Sequence, residues 1–177
     1  MRDQTYKEIY NSITLRLFFK IPEGVFHIRE ISRKTGLHPN TVLKEVRLLE
    51  KEGLLTVKNA GNLKQVKATR EELFIRIKRI DNLKNVVFSG VLDMLYRQYG
   101  APDAIVLFGS YSRGEDTSTS DIDIAVITNK EFQPDLSRFE KFLHRKIQAH
   151  EIRLGKVGKG FRTNLINGIV LSGYLDA

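Results

Sequence analysis

With 177 residues, no cysteine and a net charge of +8, the chain is long enough for one medium domain or two small ones and excludes disulfides and thiolate metal sites. No apolar run approaches the roughly 20 residues of a membrane span, and Met1 to Lys20 mixes polar with apolar residues, so a soluble cytoplasmic protein is expected. The charge is uneven: residues 1–69 hold 13 Lys and Arg against 7 Asp and Glu, residues 70–100 hold 6 against 4, and residues 101–177 hold 10 against 10. Surplus basic charge serves either solubility or a polyanionic partner, and its concentration at the N-terminal end favours the partner.

Tyr6, Ile9, Tyr10, Ile13 and Leu17 recur at helical spacing and predict a first helix that stops before Pro22 and Gly24. A second helix is predicted from about Ile28 to Thr35, stopped by Gly36, and a third from Pro39 to about Glu52, closed by Gly53. Leu54 to Val57 and Lys64 to Lys67 read as strands of a hairpin, with Asn59-Ala60-Gly61-Asn62 as its turn. Thr69 and Glu72 form a capping box that opens a helical connector, with Phe88, Leu92, Leu95 and Tyr99 on one apolar face and a break expected at Asp81-Asn82. Gly100 and Pro102 end it. Beyond them come a strand from Ile105 to Phe108, another from Ile122 to Ile127, a helix from Asp135 to Arg145 and a strand from Ile147 to Leu154. A helix near Phe161 to Ile166 and a strand from Ile169 to Leu171 complete an α/β layer.

On the third helix Val42, Val46 and Leu49 face inward, while Asn40, Lys44, Arg47 and Lys51 face outward as a cationic surface suited to a major groove. His38 and Thr41 at the helix start are placed to reach the phosphate backbone, and Lys58, Lys64 and Lys67 on the hairpin to add phosphate contacts. The stretch His27 to Ala68, "IREISRKTGLHPNTVLKEVRLLEKEGLL" and then a hairpin, resembles the winged helix-turn-helix family. That resemblance implies nucleic-acid binding, or else dimerisation or protein docking. Leu43 and Glu45 depart from the small or basic residues such helices often carry near the groove.

Gly109-Ser110 ends an apolar strand where a helix starts, so the backbone can come close to a ligand, and free N–H groups and a hydroxyl can face phosphate oxygens. Asp121 and Asp123 flank Ile122 at a strand start; residues two apart share a face, and two adjacent carboxylates are best tolerated around divalent cations such as Mg²⁺. Glu151, on a candidate neighbouring strand, is expected to complete the cluster and to take or orient a proton. His27, His38, His144 and His150 lack metal-pair spacing, so zinc is not expected, and Lys156, Lys159 and Arg162 in a Gly-rich stretch read as solvated loop charges or else as triphosphate contacts.

The assembled "LFGSYSRGEDTSTSDIDIAVI" resembles the DNA polymerase beta-type nucleotidyltransferase superfamily, most closely its minimal nucleotidyltransferases, over roughly Ala104 to Leu171. The resemblance implies a nucleoside triphosphate (NTP) substrate and two Mg²⁺ ions, with Mn²⁺ as the alternative. It also implies Gly109 and Ser110 on phosphates, Asp121, Asp123 and Glu151 as catalytic metal ligands, and Arg113, with Gly114, bracing the site or touching phosphate.

The expected fold class is therefore α+β, with a winged helix at 1–69, a helical connector at 70–100 and a nucleotidyltransferase sheet domain at 101–177. The expected function is Mg²⁺-dependent transfer of a nucleoside monophosphate to a hydroxyl. The alternatives are a DNA-binding regulator or an antitoxin-like protein that binds nucleotide without turnover. A homodimer or a protein partner would complete the acceptor side.

Overall fold

The computed structural model describes residues 2–61 and 63–175. The chain divides into two compact units, 1–75 and 76–177.

In the first unit α1 (Arg2–Asn11) and α2 (Ile13–Lys20) replace the single helix expected there. Ser12 makes the break. Its Oγ accepts the Leu15 amide at 3.1 Å and donates to Glu45 Oε2 at 2.7 Å, and the same carboxylate oxygen accepts the Thr14 amide at 3.0 Å. Glu45 thus serves the start of α2, satisfying an N–H that the helix cannot. This accounts for Glu45 on a helix that also carries Lys44, Arg47 and Lys51.

A short strand, β1 (Val25–His27), leads into α3 (Ile28–Thr35), which ends on left-handed Gly36, φ 74°. α4 (Pro39–Lys51) follows, with proline in its first turn and His38 Nδ1 accepting the Asn40 amide at 3.3 Å. β2 (Leu55–Ala60) and β3 (Leu63–Ala68) form the hairpin, and β1 adds to β3 to give the order β1-β3-β2. Gly61 sits in the turn with φ 60°; Asn62, which the sequence also assigned to the turn, lies outside the described residues. Phe18, Ile31, Val42, Leu49, Leu54 and Val66 are fully buried beneath this layer. The unit is a winged helix.

α5 (Glu72–Ser89) runs unbroken through Asp81-Asn82 and stops at Gly90, φ 78°, from which α6 (Val91–Tyr99) starts. The expected Thr69 cap is not formed onto the helix: its hydroxyl donates to the Gly53 carbonyl at 2.9 Å and accepts the Glu71 amide at 3.4 Å. Because Gly90 resets the helical phase, Phe88 is exposed while Val86, Val91, Leu95 and Tyr99 are buried. The segment read as a connector therefore supplies core to the second unit.

That unit is built on a four-stranded sheet ordered β6-β5-β4-β7, from β4 (Ala104–Phe108), β5 (Ile122–Ile127), β6 (Ile147–Ile152) and β7 (Ile169–Gly173). β4 pairs antiparallel with β5 and β7, whereas β5 and β6 are parallel. A parallel pair needs a crossover, and α8 (Ser137–Leu143) provides it. One sheet face, with Leu107, Ile122, Ile124 and Val126, packs against Val91, Leu95, Tyr99 and Phe139. The other, with Val106, Phe108, Ala125 and Ile127, packs against Leu165 of α9 (Lys159–Ile166). Among the described residues no helix is long and apolar enough to cross a membrane.

Candidate active site and nucleic-acid face

β4 delivers the chain into α7 (Gly109–Arg113) at the edge of the second sheet. Phe108 pairs with Asp123 across β4 and β5, so the turn and the aspartate are neighbours by register. Gly109 has φ 73°, and a Cβ built on it would collide with Asp123 Oδ2. Only glycine lets the backbone turn there and leaves that carboxylate its place. Asp121 and Asp123 are half-buried on one face, while Ile122 and Ile124 are fully buried on the other.

The neighbouring strand brings a correction. In the parallel register Asp123 lies opposite Gln148, Ala125 opposite His150 and Val126 opposite Glu151. Paired residues share a face, so Gln148 and His150 join the aspartates and Glu151 faces away from them. Gln148 Nε2 donates to Asp121 Oδ2 at 3.2 Å, and His150 Nε2 is 3.3 Å from Asp123 Oδ1. Glu151 Oε1 instead accepts the Tyr99 hydroxyl and the Phe132 amide, each at 2.6 Å. It lines a cleft with Thr128, Lys130 and Arg153 at the far ends of β5 and β6. Burial, then the hydrogen bond that the hydroxyl donates to the Glu151 carboxylate, holds the Tyr99 pKa above the usual tyrosine range, which keeps the hydroxyl a donor. Sequence alternation gave the faces of β6 but not its alignment with β5.

Arg113 points along the chain, its Nε donating to Glu115 Oε2 at 2.7 Å. Lys156, Lys159 and Arg162 are exposed. The loop between α7 and β5, which carries Asp121, is held by a buried group that the sequence reading missed. Lys78 Nζ donates to the Asp116 carboxylate and, at 2.9 Å, to the Asp116 carbonyl; Asn82 Nδ2 donates to Asp116 Oδ1 at 2.7 Å and to the Tyr111 carbonyl at 2.9 Å. Arg145 donates to the Ser118 carbonyl and lies 3.7 Å from Asp116 Oδ2. A signal existed: Lys78 and Asn82 continue the inward spacing of Phe74 and Val86 along α5.

Two carboxylates beside a glycine cradle fit an ion such as Mg²⁺, which typically takes one or two carboxylates and draws its other ligands from substrate phosphates and water. An all-protein cage is absent among the described residues, where no three His, Asp or Glu groups are arranged to hold an ion.

Residues 89–165 match the nucleotidyltransferase domain family. The match begins at the last residue of α5 and contains Gly109, Ser110, Asp121, Asp123, Gln148 and His150. No curated protein matches the chain significantly in sequence. Among solved structures, reduced HlyU from Vibrio cholerae is 15% identical over 53% of this chain and 83% of its own, with a TM-score of 0.36. Rv0081 from Mycobacterium tuberculosis is 15% identical over 52% and 89%, with a TM-score of 0.40. Mb0332 from Mycobacterium bovis, described as a homodimeric winged helix-turn-helix DNA-binding domain, is 19% identical over 50% and 78%, with a TM-score of 0.38. The winged-helix assignment rests on element order and sheet topology, not on these likenesses.

In the first unit Asn40, Thr41, Lys44, Arg47 and Lys51 are exposed along α4, opposite buried Val42, Val46 and Leu49, and His38 is exposed at its start. On the hairpin Lys58 is opposite Gln65 and Lys67 opposite Thr56, which sets those two lysines on one face of the wing. Lys64, opposite Asn59, belongs to the other.

Proposed function

We propose that the second unit binds a nucleoside triphosphate with a divalent ion and transfers its nucleoside monophosphate to a hydroxyl, and that the winged helix binds nucleic acid. The observation that carries the transferase reading is the closeness of the Gly109 turn to Asp123, which joins a phosphate-facing backbone to an ion-binding carboxylate. Gly109 and Ser110 would seat the triphosphate, and Asp121 and Asp123 would hold Mg²⁺. The ion would supply charge neutralisation of the triphosphate and lower the pKa of the attacking hydroxyl. The loop held by Lys78, Asn82 and Arg145 fixes where Asp121 points. Arg113, committed to Glu115, braces the end of α7.

Pyrophosphate release from labelled triphosphates tests this. Wild type is expected to release it, and Asp121→Asn or Asp123→Asn to lose more than the roughly 10–100-fold typical of changes one shell further out. Equal release from the variants would overturn the assignment.

One observation favours a second reading. β6 sets Gln148, an amide, beside Asp121 where a third carboxylate would stand, which suits a DNA-binding regulator or antitoxin-like protein that holds nucleotide without turnover. Saturable nucleotide binding with no pyrophosphate from any acceptor mixture would decide for it.

For the first unit, Lys44→Ala with Arg47→Ala is expected to weaken DNA binding and to flatten its salt dependence by about two phosphate contacts, a slope change of roughly 1.8. Unchanged binding would remove α4 from the interface.

A further inference from the structure

β6 presents no carboxylate to the aspartate pair; it presents an amide and an imidazole. The His150 ring stands edge-on to Phe108, centroids 5.3 Å apart, and to Phe161 at 6.2 Å. Its Nε2 is 3.3 Å from Asp123 Oδ1. Two donors bound side by side on one ion, each about 2.1 Å from it, are about 3 Å apart, so this pair already has nearly the spacing of two ligands of a single ion. Gln148 meanwhile donates to an oxygen of the other carboxylate, Asp121.

We infer that Asp123 and His150 bind one ion together as an oxygen–nitrogen pair when nucleotide is present, and that the site therefore takes Mn²⁺ in preference to Mg²⁺. Mg²⁺ favours oxygen ligands throughout, whereas Mn²⁺ shares its affinity for carboxylate and phosphate and, as a transition ion, takes a nitrogen donor more readily than Mg²⁺ does. Triphosphate oxygens and water would complete the coordination. Coordination through Nε2 places the ring proton on Nδ1. The inference rests on the nucleotide-binding reading and adds the identity of the ion and a ligand outside the aspartate pair.

The test uses the full chain with Mn²⁺ and a non-hydrolysable triphosphate analogue, read by pulsed electron paramagnetic resonance. Nitrogen coupling to Mn²⁺ is expected in wild type and absent in His150→Ala, which also excludes the base as its source. The ratio of Mn²⁺ to Mg²⁺ affinity in the presence of the analogue is expected to fall at least about tenfold in that variant. Mn²⁺ and analogue bound by wild type without nitrogen coupling would overturn the inference and leave the nucleotide site standing. Failure of wild type to bind the analogue with either ion would overturn both.

Discussion

Replacing Lys78 with methionine is expected to cost the second unit about 3–5 kcal/mol, because it leaves the Asp116 carboxylate buried beside Asn82 without its ammonium partner. Lys78 and Asp116 have side-chain exposures of 0% and 1%, so water cannot take the place of the lost charge, and the Arg145 guanidinium, 3.7 Å from Asp116 Oδ2, compensates it only in part. Asp116→Asn should cost a comparable amount from the other side, while the double change Lys78→Met with Asp116→Leu should cost less than the two single changes together. Hydrogen exchange of the β5 amides reads this unit without interference from the first. A Lys78→Met protein with unchanged β5 protection would show that the pair does not hold the loop. The loss should reach function, because the loop that Lys78 anchors leads directly into Asp121.

Gly109→Ala is the second large effect. A side chain at φ 73° costs about 1–2 kcal/mol in backbone strain, and the added methyl would also displace the Asp123 carboxylate that it meets. Nucleotide binding is expected to fall at least about tenfold, in line with a site displaced by a fraction of a bond length. Ser110→Ala, which removes one hydroxyl and leaves the turn intact, should cost only the 0.5–1.5 kcal/mol or so of a single hydrogen bond. Equal losses from the two variants would mean that the close approach of Gly109 to Asp123 is not what shapes the site.

Local signals made much of this legible in the sequence. Proline at the start of α4, glycine after α3, and the apolar spacing of Val42, Val46 and Leu49 each act within a few residues and specify the winged helix. Gly109-Ser110 and Asp121-Ile122-Asp123 are local as well, and period-two alternation suffices to set both aspartates on one face. What escaped depends on partners distant in the chain. Glu151 was joined to the aspartates because alternation cannot say which residue of β6 lies opposite Asp123, and a one-residue difference in register exchanges Gln148 and His150 for Glu151. Glu45 is explained only by Ser12 and the start of α2, more than 30 residues away in the chain. Lys78 and Asp116 are 38 residues apart and meet only in the folded unit.

The Gly109 turn and Asp123 are proposed to form together a site for a triphosphate and its ion. Equilibrium titration of labelled nucleoside triphosphates tests it most directly, with and without divalent ion, in wild type and Asp123→Asn. Saturable, ion-dependent binding to wild type is expected, and Asp123→Asn is expected to lose it while retaining β5 amide protection. Binding of equal strength in both proteins, or none to a fully folded wild type with any of the four triphosphates, would contradict it.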